Sequence, residues 1–200
     1  MEKLLKHIRS LVEFSDESWE QFSNYLTIKK FNKGDFLLKN QEYCDTVFYI
    51  QTGFCRLFQE VEEDEINLNF HFEDEFVTNI KSSLNKEKSE YSIQAYENLV
   101  VVEMKKSTIT EDFINGSKEL QAFSSKMLQL LTIKQEEHLK LFKLCSPQQR
   151  YEYIEKYQPE ILQRVPLHHL ASYLGVTRRT LTRIRKNRLF KNETNVSVMS

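Results

Sequence analysis

The sequence predicts an α+β protein in which an antiparallel jelly roll precedes a long connecting helix and an all-α C-terminal domain. Three observations support this fold class. From about residue 27 to 105, short strand-prone runs alternate with frequent turn signals. Residues 117–144 contain neither glycine nor proline, which favours one continuous helix of about 42 Å. Residues 166–186 combine helical spacing of apolar residues with a glycine turn.

These observations predict three segments: a β-roll domain with N-terminal helices over 1–115, a long helix over 116–145, and a helical domain over 146–200. The N-terminal helices are indicated by helical spacing from Leu4 onward and by Ser15, a plausible N-cap.

The most regular strand pattern runs through residues 66–72. Ile66, Leu68, Phe70 and Phe72 alternate with polar residues, which predicts a half-buried strand with one apolar face. The acidic run at 62–65, just before this strand, is predicted to be a solvated hairpin tip.

Composition argues against several protein classes. No run of eighteen apolar residues exists and the first residues do not resemble a signal peptide, so we expect a cytoplasmic protein without a membrane partner. Cys44, Cys55 and Cys145 are odd in number and widely spaced, which predicts reduced thiols rather than disulfides or a zinc site. His168 and His169 point to different sides of a helix, so we expect no metal there.

Residues 166–186 predict two short helices joined by a tight turn. Gly175 can take the left-handed conformation that ends a helix, and Thr177 is a good N-cap for the next one. Leu181 and Ile184 are predicted to point inward, which leaves a basic outer face. A basic helix propped on a partner helix is the shape that enters a DNA major groove. The alternative is an ordinary surface hairpin rich in arginine.

The charge distribution also indicates a polyanionic partner. Residues 1–144 hold 18 Lys/Arg against 25 Asp/Glu, whereas residues 145–200 hold 10 against 4. The formal net charge of −1 therefore hides an acidic N-terminal part and a basic C-terminal part. DNA contact is predicted to be confined to the C-terminal face, because the acidic part would be repelled.

The long helix is predicted to mediate a homodimer. One apolar stripe, the predicted dimer interface, comprises Leu120, Phe123, Met127, Leu130, Leu141 and Leu144. A second stripe comprises Leu128, Leu131, Leu139 and Phe142. One stripe can cover the β domain while the other meets the same helix of a second chain. The alternative is that both stripes belong to the core of a single chain, and the pattern alone leaves it open.

A β-roll, a long connecting helix and a C-terminal helical hairpin follow one another within 200 residues. In this order and length of elements, the chain resembles the Crp/Fnr family of bacterial transcription regulators. The motifs that carry the resemblance are Lys33–Leu37, Val47–Ile50 and Gly53–Leu57 in the β-roll, and Leu170–Thr177 and Leu181–Lys186 near the C-terminus. The resemblance implies a β-roll like that of cyclic-nucleotide-binding domains and a C-terminal helix-turn-helix. It also implies double-stranded DNA and RNA polymerase as partners. The short polar tail after Lys191 leaves little room for the full wing of many family members.

The resemblance implies six DNA-binding residues: Thr177, Arg178, Arg179, Thr182, Arg183 and Lys186. Arg178, Arg179 and Arg183 match positions that reach base edges, whereas the other three are better placed for phosphates. Arg179 stands where an acidic residue is often found, so we expect an operator that differs from the best-known one of the family.

The expected effector pocket departs further from the family pattern. The matching stretch offers six candidate ligand-pocket residues: Asp74, Glu75, Phe76, Lys88, Tyr91 and Ser92. Asp74 replaces a glycine, and no arginine occurs between Arg56 and Arg150 to hold a cyclic phosphate. We therefore expect no cAMP, no metal and no other cofactor, although an unknown small-molecule effector is compatible with the fold. The family's iron–sulfur branch needs an N-terminal cysteine cluster that this sequence lacks, and a lone His71 is a weak haem ligand.

The sequence thus predicts a homodimeric, DNA-binding transcription regulator of Crp/Fnr type that is not an enzyme and does not respond to cAMP. Two alternatives stay open. One is a cyclic-nucleotide-binding module that signals through protein contacts. The other is a cupin-like enzyme, which requires a cluster of His and Glu metal ligands.

Overall fold

The computed structural model describes residues 1–109 and 111–197. Helices α1 (Glu2–Leu11) and α2 (Asp16–Ser23) precede the strands β1 (Leu26–Phe31), β2 (Phe36–Leu38), β3 (Thr46–Thr52), β4 (Cys55–Val61), β5 (Asp64–His71) and β6 (Phe76–Val77). Helix α3 (Ile80–Asn85) leads to β7 (Ser92–Ala95) and β8 (Leu99–Lys105). Helices α4 (Glu111–Asn115), α5 (Lys118–Leu144), α6 (Pro147–Tyr157), α7 (Pro159–Arg164), α8 (Leu167–Tyr173) and α9 (Arg178–Ser197) follow.

The strands form two four-stranded sheets, in the orders β1-β8-β3-β6 and β2-β7-β4-β5. The strand pairs are antiparallel; Leu26 of β1 lies opposite Met104 of β8, for example. Apolar side chains from both sheets, among them Phe48, Ile50 and Ile93, form one buried cluster. Alternating strands place these residues on the inner faces of a two-sheet roll. The α+β fold class predicted from the sequence is confirmed.

The N-terminal helices cover this roll as their patterns predict. Leu4 and Ile8 of α1 are fully buried in a second apolar cluster together with Phe22 of α2. Helix α2 begins where the Ser15 hydroxyl accepts a hydrogen bond from the Ser18 N–H at 3.1 Å.

Strand β5 differs from its predicted pattern. Asn67 and His71, assigned to the solvent side, are only 3% and 5% exposed, whereas Ile66 is 39% exposed. Asn67 is covered by Ser172 and His169, which are distant in sequence, and His71 lies beside Glu75 beyond the end of the strand. Alternation within the strand carries no information about such partners. The hairpin before β5 turns at Glu62, whose φ is +58°.

Helix α5 continues from Lys118 to Leu144 without a break, close to the predicted 117–144. Leu120 and Phe123 are each 2% exposed and belong to the apolar cluster beneath α1 and α2. This corrects the prediction that both contact a second chain, because the chain's own β-roll takes up this part of the stripe. Leu141 is also buried, while Leu144 is exposed. Met127 and Leu130 are half-buried.

The chain divides into two compact units. The first unit comprises Met1–Glu60 and Leu68–Gln135, and the second comprises Val61–Asn67 together with the residues from Glu136 onward. The division falls within α5. The division into a β-roll domain (1–115), a dimerisation helix (116–145) and a DNA-binding domain (146–200) stays a prediction. Among the described residues, no helix has the length and apolar character needed to cross a membrane.

The second unit contains the C-terminal helices. Helix α6 begins with a capping box in which Ser146 and Gln149 each accept a hydrogen bond from the other's backbone N–H. Buried apolar residues come from successive helices: Ile154, Ile161, Leu170, Leu174 and Leu181. Helix α9 runs on to Ser197, and whether a wing follows the recognition helix stays a prediction.

Candidate functional site

The turn between α8 and α9 is determined by Gly175 and its neighbours. Gly175 has a φ of +64°. Its N–H donates to Ser172 O at 3.0 Å, and the Val176 N–H donates to Ala171 O at 3.0 Å. This pair of bonds is the Schellman arrangement, in which a residue of left-handed conformation ends a helix. The Thr177 hydroxyl then accepts from the Thr180 N–H at 3.2 Å and caps α9.

Helix α9 separates an apolar side from a basic side. Leu181 is fully buried and Ile184 is half-buried. The six predicted DNA-binding residues are all exposed: Thr177, Arg178, Arg179, Thr182, Arg183 and Lys186. At 3.6 residues per turn, the five within the helix span about 140° of its circumference. The structure therefore brings them together on one face.

One of the six has a local role that the sequence did not indicate. The Thr182 hydroxyl donates to Arg178 O, one turn earlier, at 2.9 Å. Its single proton is thereby used within the helix, so Thr182 has no donor left for a phosphate oxygen in this conformation.

Arg150 of α6 supports the turn from within the second unit. Its Nη1 donates to Leu174 O at 2.8 Å and its Nε donates to Cys145 O at 3.1 Å. The guanidinium also lies 4.7 Å above the ring centre of Phe142. Arg150 thus satisfies a carbonyl at the end of α8 that the helix itself leaves unpaired. The sequence contains no local signal for this role, since Arg150 and Leu174 are far apart in the chain.

Two further basic residues of α9 face α6. Arg188 Nε lies 2.8 Å from Glu155 Oε2. The pKa of Tyr151 is raised by burial, which the charge of Arg185 partly offsets. Arg188 therefore forms an ion pair within the second unit.

The acidic hairpin tip is hydrogen-bonded to α8 in the second unit. The Ser172 hydroxyl accepts from the Asn67 N–H at 3.0 Å and donates to Glu65 O at 3.1 Å. Asn67 Nδ2 also lies 2.9 Å from His169 Nδ1. These bonds explain why Asn67 is buried, and they hold the carboxylates of residues 62–65 beside α8.

In the β-roll unit, Asp74 occupies a position that glycine usually takes. Its φ of +67° is left-handed, a region that Asp tolerates better than most residues. Its carboxylate accepts a hydrogen bond from the Tyr49 hydroxyl at 2.5 Å and lies 3.2 Å from Lys3 Nζ. Burial and this carboxylate raise the pKa of Tyr49. Asp74 therefore adopts a left-handed backbone that glycine takes most readily, and it adds a negative charge.

Glu75 and Lys134, both half-buried, form a polar cluster with the buried His71. Lys134 Nζ of α5 donates to Glu75 Oε2. His71 Nδ1 lies 2.8 Å from the same oxygen, although its N–H is poorly aligned with it. Burial opposes ionisation of the carboxyl, but His71 and Lys134 outweigh that effect and lower the pKa of Glu75 to about 2. Burial and Lys134 lower the pKa of His71, which favours the neutral imidazole.

The four other predicted pocket residues are Phe76, Lys88, Tyr91 and Ser92, and each has contacts within the β-roll unit. Phe76 is buried, with its ring centre 5.3 Å from that of Tyr49. Lys88 is exposed and pairs through its backbone with Tyr43. The Ser92 hydroxyl accepts from Asn40 N–H at 2.9 Å. Burial raises the pKa of Tyr91. None of the six lines the cavity of about 280 Å³ in this unit.

The described residues contain no group of three or more His, Cys, Asp or Glu side chains that could hold a metal ion. Cys55 is buried in the β-roll, and burial raises the pKa of its thiol. The thiol is therefore protonated at neutral pH and lacks the thiolate form that binds metals.

Comparisons with known proteins agree with this architecture. Residues 28–113 match the family model described as the cyclic nucleotide-binding domain. No curated protein sequence shows a significant match. A cyclic nucleotide-binding domain containing protein from Listeria monocytogenes is 15% identical with a TM-score of 0.66, over 94% of this chain and 91% of that one.

Two solved regulators have similar folds. The c-di-GMP responsive global regulator CLP from Xanthomonas campestris is 16% identical with a TM-score of 0.64, over 89% of this chain and 93% of that one. A protein from Eubacterium rectale assigned to the Crp/Fnr family of transcriptional regulators is 16% identical with a TM-score of 0.65, over 90% and 85%. Residues 28–113 thus match the cyclic nucleotide-binding domain family, and the chain shares the fold of solved transcription regulators of the Crp/Fnr type.

Proposed function

We propose that this protein is a sequence-specific DNA-binding transcription regulator of Crp/Fnr type, with α8 and α9 as its helix-turn-helix. The observation that carries the proposal is the exposed basic face of α9, supported by the capped turn at Gly175. Arg178, Arg179 and Arg183 are the proposed readers of base edges, because a guanidinium can bind guanine O6 and N7 with two hydrogen bonds. Lys186 and the N-terminal end of α9 at Thr177 are the proposed phosphate contacts.

A homodimer is part of this proposal. Leu128 and Leu139 of the second α5 stripe are 46% and 52% exposed, which is unusual for large apolar residues. They lie eleven residues apart and therefore on the same side of the helix. Pairing of this side with the same helix of a second chain would remove both leucines from water. Two recognition helices would then meet successive major grooves of a palindromic site. RNA polymerase is a further proposed partner.

The proposed regulator does not respond to cAMP. Lys134 already pairs with Glu75, the carboxylate that would meet a ribose hydroxyl according to the resemblance. Asp74 and Glu75 would face the anionic phosphate, and no arginine between Arg56 and Arg150 is present to bind it. The alternative, a cyclic-nucleotide-binding module that acts through protein contacts, is favoured by the match of residues 28–113 to the domain family.

Selection of genomic fragments by the purified protein tests the function. We expect a symmetric consensus, which would support both the reader and the dimer. Salt-sensitive binding without any consensus would contradict sequence-specific recognition, since phosphate contacts alone produce that behaviour. Calorimetric titration with cAMP distinguishes the alternative: micromolar binding would contradict the proposed lack of response.

A further inference from the structure

The β-roll unit contains an apolar cavity of about 280 Å³ that has no part in the proposed DNA contact. It is enclosed by side chains from α2, β3, α3, β8 and α5, chiefly Phe22, Val47, Leu84, Met104, Phe123 and Met127. A dry apolar cavity of about 150 Å³ in another protein is large enough to bind benzene. This cavity has nearly twice that volume and is close to the lower limit of known ligand pockets, about 300 Å³.

One side of the cavity opens to solvent and carries its charged groups. Leu84, 62% exposed, lies at this opening, as do exposed Lys106 and Asp45. Lys106 Nζ donates to Ser83 O at 2.9 Å, which uses one of its three N–H donors. Among the described residues, Lys106 forms no ion pair with a carboxylate, and its link to Asp45 is a backbone hydrogen bond of 2.8 Å. The Lys106 donors that Ser83 leaves unused can bind an amphipathic anion whose head group lies on the Lys106 side of the opening, away from Asp45.

We propose that this cavity binds an aliphatic carboxylate of about ten carbon atoms, a size scaled from the volume that holds benzene. The hydrocarbon chain packs against Phe22, Phe123 and Met127, and the carboxylate accepts hydrogen bonds from Lys106 Nζ. Two of these apolar residues belong to α5, so the ligand contacts the helix that continues toward the C-terminal unit. The proposal concerns the β-roll alone and holds whether or not the protein binds DNA.

Titration of the full-length protein with decanoate tests the proposal, at concentrations below those at which it forms micelles. Trp19 is the single tryptophan, and its ring centre lies 6.5 Å from that of Phe22, so its fluorescence reports on an occupied cavity. We expect saturable binding with one site per chain by fluorescence and calorimetry. Decylamine should bind more weakly than decanoate, because its ammonium would face Lys106.

Two variants separate the parts of the site. Lys106→Gln should weaken decanoate binding about three- to tenfold and leave decanol binding unchanged. Lys105→Gln is the matched control, since Lys105 is a neighbouring exposed lysine that does not line the cavity. Ser124→Phe, which fills the cavity, should abolish binding of both ligands. Circular dichroism checks its fold, and Met127→Phe provides a second filling variant if Ser124→Phe is unfolded.

Three results would overturn the proposal. The first is no saturable decanoate binding, and the second is unchanged affinity in both filling variants. The third is equal affinity for decanoate and decylamine. If decanoate fails to bind while Ser124→Phe converts a dimer to a monomer in sedimentation, a second copy of the chain covers this cavity instead.

Discussion

At the scale of single residues, the cluster of His71, Glu75 and Lys134 shows how a recognisable turn takes on a different chemistry. Glu75 stands where the resemblance implies a ribose contact, yet its carboxylate is paired with a lysine from α5. The Lys134–Glu75 ion pair stabilises the β-roll unit, because each charge offsets the desolvation of the other. The same contacts make the unit sensitive to acid.

We expect Glu75 to contribute to acid unfolding between about pH 4.5 and pH 2. Its pKa is lowered in the folded state, so its stabilising contribution is complete above the unfolded value and is lost as the pH falls toward the folded one. Because the side chain is about one-third exposed, solvent screening limits this contribution to about 1–2 kcal/mol. Urea titrations over this pH range should show a shallower loss of unfolding free energy in Glu75→Gln.

Glu63→Gln, in the exposed hairpin tip, is the control and should keep the wild-type acid profile. Lys134→Met provides a second readout, because removal of this cation should raise the pKa of His71 in an NMR titration. An unchanged His71 titration would contradict the cluster as described.

Two variants in α9 distinguish residues that contact base edges from residues that contact phosphates. We expect Arg183→Ala to relax specificity at one base position, at a cost of about 1–3 kcal/mol of discrimination. Lys186→Ala should weaken binding to all sequences alike and reduce its salt dependence. Binding measured against a panel of single-base operator variants at two salt concentrations separates these outcomes. An equal loss for every operator in Arg183→Ala would remove Arg183 from the base readers.

At the scale of elements, the α8–α9 turn depends on one backbone conformation and one distant side chain. Gly175 supplies the left-handed φ, and Arg150 closes the end of α8 from a different helix. An added Cβ at Gly175 would lie 3.3 Å from Arg150 Nη1, closer than most such contacts. The orientation of α9 therefore depends on a position where both backbone and space favour glycine.

We expect Gly175→Ala to destabilise the second unit by about 1–2 kcal/mol, because an L-residue is strained in this conformation. DNA affinity should fall as α9 is displaced. The matched control is Gly34→Ala in the β-roll, with a φ of +93° and no atom within 4 Å of the added Cβ. It should lower stability without changing DNA affinity. Equal loss of DNA affinity in Gly175→Ala and Gly34→Ala would contradict a specific role of the α8–α9 turn in DNA binding.

At the scale of the whole molecule, charge and apolar exposure indicate two different partners. The basic residues of the C-terminal part, 10 against 4 acidic, favour a polyanion. The exposed leucines of the second α5 stripe favour a second copy of the chain. The two proposals are linked, because a dimer doubles the number of recognition helices on one DNA molecule and raises affinity without new contacts.

We expect Leu139→Lys to convert the dimer to a monomer in analytical ultracentrifugation, because it would bury a charge in the proposed helix–helix interface. Binding to a palindromic operator should weaken strongly, while binding to a half-site should change little. Gln129→Lys adds the same charge to an exposed position of α5 away from the leucines and should remain dimeric. A dimer that persists in Leu139→Lys would place the interface elsewhere.

Much of the local structure follows from the sequence for identifiable reasons. The N-caps at Ser15 and Thr177 and the left-handed glycine at 175 form as predicted. These features depend on contacts within a few residues, which the sequence shows directly. The exposed face of α9 also follows, since the buried positions Leu181 and Ile184 determine which side remains outside.

Contacts between distant residues are not visible in such patterns. Helical spacing indicated two apolar stripes on α5, but it did not indicate which stripe the β-roll covers, and the structure buries Leu120 and Phe123 within the chain. Lys134 and Glu75 are 59 residues apart, so no local signal predicts their pairing. Hydrophobic periodicity shows which face of an element is apolar, and the residue types show which positions carry charge. The partner of each depends on how the folded chain brings remote segments together.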